Sequence, residues 1–196
     1  MSGRVQTAVL ISGGGSNMQA LIKAAQAADY PANITLVISN TPDAGGLAKA
    51  QALGVKTLVI DHKAYKTRED FEREMDKALR AHKIDLICNA GFMRILTPWF
   101  VRRWLGRQLN IHPSLLPKHK GLYTHQRALD AGDRQHGCTV HWVSEGMDEG
   151  EIIAQSIVDI FPDDTADSLA ARVLTEEHKL YPQVLHSVIV SSKAKA

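Results

Sequence analysis

Short apolar runs separated by amphipathic stretches set the rhythm of the first half of the chain. Residues 7–11, 34–39, 57–60 and 84–89 are brief, nearly continuous apolar segments, the pattern of strands buried on both faces. Between them, 17–28, 45–53 and 65–82 carry apolar positions at helical spacing. Strand and helix in strict alternation predict a parallel sheet covered on both sides. Residues 98–104 read as a short helix and 108–112 as a further strand. The pattern then changes. Residues 138–143 and 152–161 are strands about nine residues apart with Gly146 and Gly150 between them, which predicts an antiparallel hairpin with a long loop. Two closing helices are expected at 165–179 and 181–191, with Pro182 in the first turn of the second, and a frayed polar end from 191 to 196. The expected fold is α/β: a Rossmann-like, mostly parallel twisted sheet with helices on both faces and an antiparallel C-terminal strand pair. No shift in composition marks a linker, so 1–196 is expected to form a single domain.

Composition narrows this picture. With 44% hydrophobic and 22% charged residues, the chain resembles neither a disordered nor a membrane protein. No apolar run reaches the ~18 residues of a membrane span. A net charge of +2 gives no basic footprint for nucleic acid, yet does not repel an anionic ligand. The only cysteines, Cys88 and Cys138, lie in apolar runs and are expected to be buried thiols in a reducing compartment. The N-terminal stretch runs straight into glycines and lacks a signal-peptide pattern, so a cytoplasmic location is expected.

Two segments carry candidate chemistry. Ser12-Gly13-Gly14-Gly15-Ser16-Asn17 joins the first strand to the first helix. Glycines let the backbone approach a ligand, and free N–H groups at a helix start favour a phosphate. There is no Lys-Ser/Thr pair as in a Walker loop, and Met18 stands at the third glycine position of a dinucleotide fingerprint. A mononucleotide phosphate therefore fits better than a dinucleotide. A plain tight turn capped by Ser16 or Asn17 fits the loop equally well. In Asn110-Ile111-His112-Pro113, the Asn and His share one face of a strand that Pro113 ends. That places an amide and an imidazole where open α/β sheets hold ligands, although spacing alone is also that of a hydrogen-bonded strand end. Asp148 lies in the hairpin loop, and nothing in the spacing decides whether it reaches His112. His119, His125, His136 and His141 lack compact metal-ligand spacing and are expected to be structural or substrate-orienting, with no metal.

Taken in order, these segments resemble the glycinamide ribonucleotide formyltransferases of purine synthesis. The motifs are residues 11–17, Ala-Gly-Phe-Met-Arg-Ile-Leu at 90–96, and Asn-Ile-His-Pro-Ser-Leu-Leu-Pro-Lys at 110–118. Gly121-Leu122, Thr124-His125, Val140-His141, Asp148-x-Gly150, Glu176-Glu177-His178 and Tyr181-Pro182 continue the match across nearly the whole chain. The resemblance implies transfer of a formyl group from 10-formyltetrahydrofolate, a co-substrate, to the amine of glycinamide ribonucleotide (GAR). It implies a phosphate-binding half at 1–100 and a catalytic, folate-binding half at 101–196. It assigns catalysis to Asn110, His112 and Asp148, with Asp148 favouring the charged form of His112. It assigns GAR binding to Gly15, Ser16, Asn17 and Glu177. Folate contacts fall to Arg68, to Met93, Arg94, Ile95 and Leu96, to Asn110, and to Ser144, Glu145, Gly146, Met147 and Asp148. The expected partners are these small molecules, with no nucleic acid and no membrane, in a monomer or homodimer. The chain departs from the family pattern at Gly14, Asn89, Tyr123 and Glu149; Asn89 replaces a usually apolar residue and adds a polar group near the pterin. Hydrolysis of formyltetrahydrofolate, a nucleotide-linked oxidoreductase and a non-catalytic folate- or nucleotide-binding protein are the competing readings.

Overall fold

The computed structural model describes residues 3–194, apart from the side chain of Lys193. Its frame is one sheet of seven strands in the order β3-β2-β1-β4-β5-β6-β7. In chain order the strands are β1 (Val5–Ile11), β2 (Ala32–Ser39), β3 (Lys56–Val59), β4 (Leu86–Asn89), β5 (Gln108–His112), β6 (Gln135–Trp142) and β7 (Ile152–Asp159). The first five run parallel; β6 is antiparallel to β5, and β7 to β6. The helices are α1 (Ser16–Ala25), α2 (Gly46–Ala52), α3 (Arg68–Ala81), α4 (Pro98–Arg103), α5 (Thr124–Asp130) and α6 (Ala166–Lys193).

Strand alternation splits the core into two layers. Val9, Ile11, Val37, Cys88, Leu109 and Ile111 face α1 and α6. Ala8, Leu10, Ile38 and Ile87 face the other side, against Phe71, Met75 and Leu79 of α3 and Phe100 of α4. Cys88 and Cys138 are both buried free thiols, as expected, and burial pushes each up to about 12. No helix among the described residues is long and apolar enough to cross a membrane.

The structure differs from the sequence expectations in four places. The two closing helices are one, α6, with Pro182 inside it. A proline there removes one intrahelical N–H bond. Leu169, Val173, Tyr181, Val184, Leu185 and Ile189 nevertheless form one buried stripe through it, and the Tyr30 hydroxyl donates to the Pro182 carbonyl at 2.7 Å. Packing on both sides of the proline overrides the break. The expected frayed end at 191–196 is also partly helical, since Ser191 and Ser192 lie in α6; Lys195 and Ala196 lie outside the described residues. Helix α5 went unread because only Thr124 and Ala128 of its residues are buried, leaving no apolar period. The long helix expected at 65–82 begins at Arg68, capped by the Thr67 hydroxyl, after a separate 3-10 turn at His62–Ala64.

Candidate functional site

Strand order reverses between β1 and β4, since β1 continues to β2 and β3 on one side while β4 and β5 lie on the other. Open α/β sheets hold ligands at the carboxyl ends of strands beside such a point. The glycine loop leaves β1 there. Gly15 is left-handed at φ 68° and stands at the N-cap of α1 with no side-chain cap, so neither Ser16 nor Asn17 caps the helix. A Cβ on Gly15 would meet Met18 Cε at 2.8 Å and the Gly46 backbone at 3.0 Å. Only glycine fits this turn, and the turn leaves the first N–H groups of α1 open to an anion.

Glu177 of α6 meets this loop. Its Oε2 accepts from Asn17 Nδ2 at 2.7 Å, while Asn17 Oδ1 is buried without a partner. Burial raises the Glu177 carboxyl above its ordinary range, and the Asn17 bond opposes that rise. Gly15, Ser16, Asn17 and Glu177 are thus brought together from opposite ends of the chain.

The second cluster is built across strands. In register, Asn89 of β4 pairs with Asn110 of β5, and Asn110 with His141 of β6. Asn110 and His112 stand on one face while Leu109 and Ile111 point into the core beneath. His141 Nδ1 bonds the Trp142 carbonyl at 2.9 Å, and its Nε2 lies 3.1 Å from Asn110 Nδ2. With the proton on Nδ1, Nε2 accepts one N–H of Asn110 and leaves the other N–H for a ligand. Burial lowers the His141 pKa, which keeps the ring in this accepting form.

Asp148 completes the cluster from the β6–β7 loop. Its Oδ2 lies 3.5 Å from His112 Nδ1 and accepts from the Gly121 N–H at 2.9 Å. Its Oδ1 lies 3.8 Å from His141 Nε2. The loop folds this way because Gly150 packs against the Trp142 carbonyl, where a Cβ would stand 1.6 Å from the oxygen. The other nitrogen of His112, Nε2, donates to the His119 carbonyl at 3.0 Å. Asn110, His112 and Asp148 therefore converge, and His141, Gly121 and the His119 carbonyl join them. Sequence reasoning set His141 aside among four scattered histidines. Its pairing with Asn110 depends on strand register, which spacing did not reveal.

The expected folate-binding residues divide. Met93 and Ile95 are largely exposed and do not belong to the core, while Leu96 packs partly into the second core layer. The Arg94 Nε is buried without a partner. Met147 is exposed beside Asp148, Ser144 bonds the Gly146 carbonyl at 3.3 Å, and Glu145 pairs with Arg102 of α4 at 2.6 Å. Arg68 lies exposed at the start of α3, and no hydrogen bond or ion pair joins it to the cluster among the described residues. Ser12 of the glycine loop accepts from the Met93 N–H at 2.7 Å and donates to Asn40 at 2.6 Å. Among the described residues no group of three or more potential ligands is placed to hold a metal.

Sheet topology, an anion-receptive glycine turn and a polar row of amide, imidazole and carboxylate define an α/β protein that holds small ligands at the carboxyl edge of its sheet. Residues 5–185 match the formyl transferase family. The phosphoribosylglycinamide formyltransferase of Escherichia coli is 45% identical over 177 residues, 90% of this chain and 84% of that protein. The trifunctional purine biosynthetic protein adenosine-3 of Drosophila melanogaster is 50% identical over 188 residues, 95% of this chain, but the match spans only 14% of that longer protein. The crystal structure of phosphoribosylglycinamide formyltransferase from Brucella melitensis superposes with a TM-score of 0.91 at 53% identity, covering 95% of this chain and 96% of that one. The chain belongs to the formyl transferase family, with the phosphoribosylglycinamide formyltransferases.

Proposed function

We propose that this protein transfers the formyl group of 10-formyltetrahydrofolate to the amine of GAR, giving formyl-GAR and tetrahydrofolate in purine synthesis. The observation that carries this reading is the meeting of Asn110, His112 and Asp148 at the carboxyl end of β5, in the sheet whose β1 ends in the left-handed turn at Gly15. The substrate amine attacks the formyl carbon, and negative charge develops on the formyl oxygen. The free N–H of Asn110 is the first donor for that oxygen, held in place by His141. The second is His112, whose Nε2–H rests on the His119 carbonyl. The developing oxyanion competes with that carbonyl for the same proton, so the ring gives up its resting bond as the reaction proceeds. Asp148 Oδ2 faces the other ring nitrogen, Nδ1, at 3.5 Å and orients the ring. A water held by His112 and Asp148 relays the proton from the attacking nitrogen to the folate nitrogen that leaves. No covalent intermediate with the enzyme is required.

In this reading Gly15, Ser16 and Asn17 hold the GAR phosphate and Glu177 its ribose hydroxyls. Met93, Arg94, Ile95, Leu96 and the loop from Ser144 to Asp148 wall the folate pocket, and Arg68 reaches the folate tail. The protein acts in the cytoplasm as a monomer or homodimer, without a metal. The test mixes purified protein, 10-formyltetrahydrofolate and GAR and follows loss of the formyl-folate by absorbance. Turnover dependent on GAR is expected. Formate release at the same rate without an amine acceptor would instead make the protein a hydrolase.

A further inference from the structure

The polar row across the sheet has one more member that the proposed chemistry does not use. Asn89 ends β4, in register between Leu10 of β1 and Asn110 of β5, and side by side with Asn110 on the same face. The loop carrying Met93 and Ile95 begins one residue later. Asn89 is 7% exposed, on a sheet face that also carries the buried Leu10, Ile87, Phe100 and Trp104. Its Oδ1 accepts from Gln108 Nε2 at 3.0 Å, which fixes the amide plane. Its Nδ2 donates no hydrogen bond among the described residues and is not fully buried. Gln108 is 1% exposed, and its own Oε1 is buried without a partner. An amide pair that leaves a buried carbonyl unpaired is a costly filler for an apolar layer. Filling alone does not account for it.

We propose that Asn89 is a folate-contacting, specificity-determining residue: its Nδ2 donates to an acceptor atom of the bicyclic folate ring, and Gln108 is the positioning residue that aims it. The inference rests on the folate reading above and adds a polar contact to one wall of that pocket. It gives Asn89 and Gln108 unequal roles, and the difference is measurable.

The experiment is anaerobic titration of the purified protein with tetrahydrofolate, and separately with GAR. One net hydrogen bond corresponds to an affinity loss of roughly 3–10-fold, so Asn89→Leu is expected to weaken tetrahydrofolate binding by about that factor and leave GAR binding unchanged. Asn89→Asp is isosteric and still accepts from Gln108 but has no N–H to give; it is expected to lose at least as much and guards against a fold defect in the leucine variant. Gln108→Met is expected to weaken binding less, and to add nothing in the Asn89→Leu background. A purely structural role would instead lower thermal stability and leave tetrahydrofolate affinity unmoved. Wild type and all variants binding tetrahydrofolate alike overturns this inference alone. A wild type that binds no tetrahydrofolate overturns the folate reading and this inference with it.

Discussion

The two halves of the sheet make their sites from different materials. At the end of β1 the candidate anion site is backbone: a left-handed Gly15 and the open N–H groups of α1. At the ends of β5 and β6 the site is side chain: Asn110, His112, His141 and Asp148, held by strand register and a loop. A backbone site tolerates changes of side chain but not of conformation. A side-chain site behaves the opposite way. Perturbing each in turn tests whether the division holds.

The largest effect is expected in the side-chain half. Removing a preorganised oxyanion donor typically costs ~2.7–4 kcal/mol, so Asn110→Ala or His112→Ala should lower kcat by roughly 10²–10³-fold. Asp148→Ala should also lower kcat far more than it raises either KM. Steady-state kinetics with both substrates varied decide this. Near-normal turnover in the His112 or Asp148 variant would remove these residues from catalysis.

Gly15→Ala probes the backbone half. The left-handed turn disfavours a Cβ by about 1–2 kcal/mol, and the contact with Met18 adds to this, so KM for GAR should rise about tenfold or more. The effect on kcat should be much smaller. An equal loss in both parameters would mean that the two halves do not act separately.

A third effect is on stability. His136 is nearly fully buried in β6, 3.2 Å from His125, and burial first, then the neighbouring His125 and His119, push its pKa from 6.5 down to about 4. The folded protein keeps it neutral while the unfolded chain takes up a proton near 6.5. Stability is therefore complete above 6.5 and drains away as pH falls from 6.5 towards 4, by on the order of 3 kcal/mol from this group. Urea melts at successive pH values should show the slope, and His136→Gln should flatten it. The smallest effect is expected at Arg102→Ala, which breaks the exposed pair with Glu145. Such pairs are screened by water, so KM for the formyl-folate should change less than about twofold.

The same division explains what could be read in advance. Strand and helix alternation made the parallel half legible, because buried strands and amphipathic helices write their periods into the sequence. The glycine run also announced its turn, since backbone conformation is encoded locally. Asn110 and His112 were visible as a pair for the same reason, two residues apart on one strand. Spacing does not place Asp148, which only the resemblance assigns to catalysis, or His141, because their positions follow from the β5–β6 register and from Gly150 packed on Trp142, neither of which has a local period. Helix α5 lacked an apolar stripe, and α6 hid behind Pro182, where tertiary packing outweighs the local breaker.

Ser12 spans this division with one hydroxyl, holding the Met93 amide on one side and Asn40 on the other. The glycine loop and the segment carrying Met93 therefore share this one hydroxyl. Anyone retuning the enzyme for another acceptor or another carrier redesigns around that oxygen, because loosening one segment there also frees the other.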